Sequence, residues 1–580
     1  MTLISRSRWL KCRIWKLLTV RTFLIITLCC IVRKITLGLP VYKQKAEQRQ
    51  PTKDDNEMVN WKSLQPIRPS ELLQSRETQT RKRANKASRN ELFYANRIIH
   101  FDLKGAAPKI SYLKEVLKLI KMNGATGILL EWEDTFPFSG ILAENRNSDA
   151  YTIEEVRDLL ETAKSLNLDV IPLVPTFGHL EWILKVEKFR QYRQNDMFPQ
   201  VICLADDDAV SIVLEVIRQV VQVHLPFGIT YFHIGADEAF QYGECLKDRQ
   251  WLKANKNKNK NDLAAIHLAK IANYLKELIP NARILAWYDM IKSFESRQIK
   301  PYRLDQLLEV VVWDYSETLQ QQNEFTWHSL ATKFPVIWGS SAYKGANQPS
   351  SEFLDLKHYF RNNKAWINHR KQYGVLFHTF RGLIITGWQR YDHFAVLCEL
   401  LPVGLPSAIL NLLVAKLGDE SSTDSVINAT TAALNCSSRI SLEFVDSFNS
   451  CYFPGVELFA AIDSLRHQIS IIKDEVFENH QVKGWLNRFN VQHGYTQLWY
   501  LVQLEGTIEM HVNEITDMAK TIQSLMKPIF RQHTIDEWLY EYVDPTVEEL
   551  IKLSKQISQL KVQRTFVVGN FDIKRQIDYA

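Results

Sequence analysis

The stretch ITYFHIGADE, Ile229–Glu238, is apolar for most of its length and then turns at Gly235 into two adjacent acids, Asp237 and Glu238. A short run this apolar reads as a strand buried on both faces, as in a parallel sheet flanked by helices. Two carboxylates held close cannot both ionise easily, so one pKa is driven up. An isolated Asp-Glu pair after a strand is ordinarily a solvated turn or a helix start. The rest of the chain decides between that reading and acid catalysis.

Seven more runs of the same kind surround it: RIIHFDL (97–103), TGILLEW (126–132), DVIPLVP (169–175), RILAWYD (283–289), EVVVWDY (309–315), FPVIWGSS (334–341) and LIITGW (383–388). Amphipathic helical stretches lie between them, such as SYLKEVLKLIKMNG and NDLAAIHLAKIANYLKELI. Apolar strands alternating with helices imply a parallel sheet, and eight of them over about 300 residues predict a (β/α)8 TIM barrel. A doubly wound open sheet competes, but no glycine fingerprint follows the first strand.

A barrel places its chemistry at the C-terminal ends of its strands. Those ends carry Asp102; Trp132 with Glu133 and Asp134; His179; Asp237 and Glu238; Trp287 and Asp289; Trp313, Asp314 and Tyr315; Trp338, Tyr343 and Lys344; and Trp388, Arg390, Tyr391 and Asp392. One tryptophan there would be core packing. Several on one rim, mixed with acids, suit a sugar, whose apolar face stacks on rings while its hydroxyls take polar partners.

Composition narrows the classes. With 580 residues, 46% hydrophobic, the chain can bury a large core. The net charge of +6 reflects basic residues crowded into the first hundred positions, so nucleic acid is not an expected partner. No Gly-rich phosphate loop and no CxxC pair appears, and neither a cofactor nor a metal is expected.

The N-terminus carries Arg6, Arg8, Lys11, Arg13, Lys16 and Arg21 ahead of the apolar TFLIITLCCIV. The basic flank should remain cytosolic, giving a signal-anchor and a type II single-pass protein of the secretory pathway, with the Golgi as the expected compartment. Secretion after signal cleavage is the alternative. Residues 1–42 then form the tail and anchor, 43–92 a polar stem, 93–416 the barrel and 417–580 a C-terminal helical domain. That domain would pack on the barrel or on a second copy of the chain. Asn428 and Asn435 head N-glycosylation sequons. Cys436 and Cys451 are close enough in sequence to pair, whereas Cys203 and Cys398 read as buried thiols.

HIGADE resembles the H-x-G-x-D-E signature of glycoside hydrolase family 20, the β-N-acetylhexosaminidases. HFDLKGAAPKISYL, EWEDTFPF, VIPLVPTFGHLE, SAYKGA, TGWQRYDHFAVLCELLP and WLYEYVDPTVEEL are similar to the hexosaminidase D branch in order and spacing. The resemblance spans about residues 95–555 and leaves out the anchor and stem. It implies exo-hydrolysis of terminal β-linked GalNAc or GlcNAc from glycans, with retention, in which the substrate's acetamide oxygen is the nucleophile. Glu238 would be the general acid and base, and Asp237 would hold the acetamide N–H. His179 would bond Glu238 with Asp134 behind it, although Phe177 stands where the family has proline.

The same resemblance makes Trp287, Trp313 and Trp388 aromatic walls and Tyr315 a donor to the acetamide carbonyl. Trp338 joins them on the rim. Arg97 and Asp102 would grip ring hydroxyls, with Ile98 in place of the usual glycine. Arg390 and Asp392 stand where the larger branch has a glutamate, which leaves the GlcNAc or GalNAc preference open. Both acids can reach one pocket only if the strand ends at Asp237, because strand neighbours point to opposite sides. Two rivals are a membrane-anchored lectin that has lost catalysis and a metal-dependent hydrolase using His233, Asp237 and Glu238.

Overall fold

The computed structural model describes residues 93–573, so the tail, anchor and stem expected at 1–42 and 43–92 lie outside the described residues. In chain order the strands are β1 (Asn96–Asp102), β2 (Gly127–Glu131), β3 (Asp169–Leu173), β4 (Arg193–Asn195), β5 (Phe198–Ile202), β6 (Tyr231–His233), β7 (Arg283–Trp287), β8 (Leu308–Trp313), β9 (Val336–Lys344) and β10 (Thr379–Gly387). All but β4 and β5 are parallel and close a barrel in the order β1-β2-β3-β6-β7-β8-β9-β10, with β10 back on β1. Each of the eight apolar runs is one of its strands. The β4–β5 pair is an antiparallel hairpin that the polar RQNDMFPQVI did not announce.

The outer layer includes α1 (Ile110–Met122), α2 (Ile153–Ser165), α3 (Asp207–His224), α4 (Lys260–Leu278), α5 (Glu324–Lys333), α6 (Leu356–Tyr373) and α7 (Leu401–Leu417). Their starts follow capping chemistry: Thr152 and Glu155 form a reciprocal capping box on α2, and Asn259 and Asp262 form one on α4. The segments Asp207–Phe227 and Leu401–Glu420 are long and apolar enough to cross a membrane, yet the latter is 89% buried inside the fold. Its helix, α7, is a core helix.

Alternate residues of each strand point inward or outward. Ile98, Leu129, Ile171, Leu173, Leu285, Val311 and Ile384 fill the barrel, and Tyr231 and Trp338 fill it with them. Trp338 therefore does not stand on the rim. β9 continues six residues past it to Lys344, so its indole lies inside the barrel, edge-on to Tyr231 and donating to Glu309 at 2.8 Å. Trp132 is likewise core, packed against Phe136, Tyr151 and His224.

Beyond the barrel run α8 (Val456–Ile472), α9 (Leu498–Met526), α10 (Gln532–Tyr542) and α11 (Asp544–Leu560). They pack on the barrel: Arg531 pairs with both oxygens of Glu155 at 2.7 Å, and the Lys109 N–H donates to the Ile529 carbonyl. The described residues form one compact unit. Asn428 and Asn435 are both exposed.

Cys436 and Cys451 are joined, and Cys398 is a buried free thiol. Cys203 is not a thiol, as expected from sequence, but is bonded to Cys245. The hairpin returns Cys203 to the loop that follows Glu238, a closure over 42 residues that local sequence does not show. Buried Asp248 supports it, accepting from Ala205 N–H at 2.7 Å and from the Gln194 amide. Replacing both cysteines by serine should cost about 4 kcal/mol by the loop-entropy relation. Urea unfolding of the variant measures this, and an unchanged midpoint would contradict it.

Candidate active site

β6 ends at His233, and the chain then leaves strand geometry: Gly235, Ala236 and Glu238 have φ of 62°, 72° and 43°. Alternation stops before the acids, so both can turn toward one pocket. Left-handed backbone at two non-glycine residues costs roughly 1–2 kcal/mol each, which surrounding contacts must offset. Gly178 makes one such contact feasible. A Cβ there would lie 2.1 Å from the Asp237 carbonyl oxygen, so only glycine lets the following His179 come this close.

His179 Nε2 lies 3.3 Å from Glu238 Oε2 and 3.6 Å from Asp237 Oδ2. One imidazole nitrogen thus faces both acids. Asp289, two residues past the end of β7, accepts from the Glu238 backbone N–H at 2.8 Å and from the Trp313 indole at 3.1 Å. Trp313 stacks on Tyr315 with centroids 5.4 Å apart, and Trp287 lies between His233 and Trp388 at 4.3 and 6.2 Å. His179, Asp237, Glu238, Trp287, Trp313, Tyr315 and Trp388 wall a cavity of about 490 Å³.

Beside the acids stands a charged cluster of which sequence singled out Asp102 and Glu133 but not Lys104 and Glu131. Lys104 lines the cavity, paired with Asp102 at 2.8 Å, Glu131 at 3.2 Å and Glu133 at 3.8 Å, its ammonium 5.3 Å from the Trp388 ring. Glu131, the last residue of β2, also lines it. The signal was present in HFDLKG and LLEWED, both at strand ends, but a lysine there reads as a solvated turn residue.

Five expected site residues have other work. Arg97 sits at the N-terminal end of β1, at the far end of the strand from the acids, donating to the Gly124 carbonyl at 2.8 Å. Asp102 is at the correct end, but its carboxylate is occupied by Lys104 and by the Gln389 N–H at 2.7 Å, so it holds Lys104 in place. Asp134 does not stand behind His179; it pairs with Lys185 at 3.0 Å and approaches His393 at 3.5 Å. Arg390 pairs with Glu537 of α10, and Asp392 caps the turn at Phe394 and Ala395. Tyr391, the exposed residue between them, lines the cavity instead.

The glycosyl hydrolase family 20 catalytic-domain model matches residues 112–347. Hexosaminidase D of Homo sapiens is 32% identical over 471 residues, 80% of this chain and 94% of that protein. Hexosaminidase D of Bos taurus is 38% identical over 325 residues, 56% of this chain and 92% of that protein. The chain belongs to glycoside hydrolase family 20. It is a β-N-acetylhexosaminidase of hexosaminidase D type.

The electrostatics of the hydrolase follow from the cluster. Burial works upward on Asp237, and Asp289 and Glu238 add to it, while the neighbouring His179 opposes it. Burial alone would lower His179, but the Asp237 charge and the bond to Glu238 outweigh it and raise the imidazole to about 10. Burial works upward on Glu131 as well, and Lys104 with His100 overcomes it, bringing Glu131 to about 2.

A folded-state His179 pKa near 10, above its ordinary 6.5, has one consequence for stability. Its contribution is complete below pH 6.5 and is lost as pH rises through 10. Thermal unfolding of wild type and His179→Gln should accordingly show a gap in Tm that is widest near pH 6 and narrows toward pH 10. A gap that stays constant over that range would contradict the charged imidazole.

Proposed function

We propose that this hydrolase removes terminal β-linked N-acetylhexosamine by substrate-assisted catalysis with retention. The observation that carries the reading is the pair of acids within 3.6 Å of one imidazole nitrogen. Carboxylates placed that way stand side by side, whereas two-carboxylate mechanisms need them on opposite faces of the sugar. The acetamide carbonyl oxygen attacks C1 as the C1–O bond breaks, and Glu238 gives its proton to the leaving oxygen. Asp237 accepts the acetamide N–H and balances the charge on the oxazolinium. Glu238 then takes a proton from water as the water opens the ring. Trp287, Trp313 and Trp388 press the acetamide toward C1.

Glu238→Gln should lower turnover of glycosides with poor leaving groups by about 10²–10⁴-fold, the usual worth of general-acid catalysis. Activated leaving groups should suffer less in the first step. Retention of more than a tenth of wild-type activity on poor leaving groups would remove Glu238 from the role. A cyclic thiazoline resembling the oxazolinium should inhibit at least about 10²-fold better than free N-acetylhexosamine. Asp237→Asn should weaken it selectively; equal weakening of both ligands would count against Asp237 meeting the ring nitrogen.

For location, the reading is a signal-anchored enzyme with its barrel in the secretory lumen, most simply the Golgi. The basic-then-apolar N-terminus, the exposed Asn428 and Asn435 sequons and the two disulfides support an oxidising, glycosylating compartment. The catalytic domain should resist alkaline carbonate extraction and be protease-protected in intact microsomes. Release by carbonate would favour a cleaved signal, and digestion in intact microsomes would refute the lumenal site.

A further inference from the structure

We propose that Asp289 is the positioning carboxylate of this active site, setting the backbone of Glu238 and the indole of Trp313 at a fixed spacing. The proposal rests on the reading of Glu238 as the acid. Its two oxygens are divided: Oδ2 accepts the Glu238 N–H at 2.8 Å and Oδ1 accepts the Trp313 indole N–H at 3.1 Å. A carboxylate ion has acceptors alone, so it can serve two converging donors without choosing between them.

Both clients need fixing. Glu238 holds φ of 43°, a left-handed conformation that a side-chain-bearing residue seldom adopts without support. Rotation about that backbone would swing the carboxyl away from His179, its neighbour at 3.3 Å. Trp313 forms a cavity wall and carries Tyr315 stacked on it at 5.4 Å. The acid comes from the loop after β6 and the wall from the end of β8, elements that are not adjacent in the barrel. Asp289 follows β7, which lies between them. Its carboxylate bridges the two, so the distance from proton donor to sugar wall is set through one group.

The chemistry of an amide makes this testable. In Asp289→Asn one acceptor becomes an NH₂ donor, so the side chain can satisfy Glu238 or Trp313 but must oppose the other. With Glu238 displaced, protonation of the leaving group should suffer most. Asp289→Asn should then lower kcat at least tenfold on an alkyl β-N-acetylhexosaminide and less than threefold on the dinitrophenyl glycoside. Asp289→Ala, which removes both acceptors and puts no donor in their place, should show the same leaving-group bias.

The decisive arm is a rescue. Trp313→Phe removes the competing indole donor, leaving the amide oxygen of the Asp289→Asn side chain free to turn to the Glu238 N–H. Adding Trp313→Phe to Asp289→Asn should recover at least threefold in kcat on the alkyl glycoside relative to Asp289→Asn alone. Equal losses on both leaving groups, no loss at all, or losses that simply multiply in the double variant would overturn the proposal. Glu238→Gln, measured alongside, separates the two readings. If it lacks leaving-group bias, the acid assignment and this proposal fall together. If it shows the bias and Asp289→Asn does not, the positioning role alone fails.

Discussion

One imidazole nitrogen facing two neighbouring carboxylates is the constraint on which the site depends. Two acids packed together would repel, and burial would make either charge costly. His179 supplies the opposite charge, and the loop carrying it approaches the Asp237 backbone closely enough to require Gly178. The break in β6 at His233 is the other half of the arrangement, since a continued strand would have sent Asp237 and Glu238 to opposite sides. The irregular backbone after the strand thus converts a sequence neighbour pair into a shared wall of one cavity.

The loops that bring these groups together are held from behind. The Cys203–Cys245 bond joins the hairpin downstream of His179 to the loop downstream of Glu238, and Asp248 and Gln194 fill the space beneath it. Lys104 gathers three carboxylates, and Asp102 links it to the backbone that follows β10. Lys104 and Glu131 line the same cavity as the acid pair.

The barrel was legible because each strand is a short apolar run and each helix has its own period and cap. Asp237, Glu238 and His179 stood out in the sequence because each follows an apolar run and lies in a stretch, HIGADE or VIPLVPTFGHLE, that resembles family 20. What stayed hidden depends on length and distance. Trp338 looked like a rim residue until β9 proved to extend to Lys344, and Arg97 lies at the wrong end of its strand to meet a sugar. Asp134 lies three residues past Glu131, and only the fold shows that Glu131 lines the cavity while Asp134 meets Lys185 and His393. The roles of Lys104, Asp289 and the Cys203 bond arise from contacts across 27 to 51 residues, for which local pattern carries no signal.

The central claim is that the substrate's own acetamide performs the displacement while Glu238 and Asp237 assist it. Its most direct measurement is kcat/KM for a series of 4-nitrophenyl N-acetylhexosaminides whose acetyl group carries successively more fluorine. Fluorine weakens the carbonyl oxygen as a nucleophile and leaves the glycosidic bond untouched. The account predicts a steep fall in rate with each fluorine added. A flat series, with the trifluoroacetyl substrate cleaved about as fast as the parent, would contradict it.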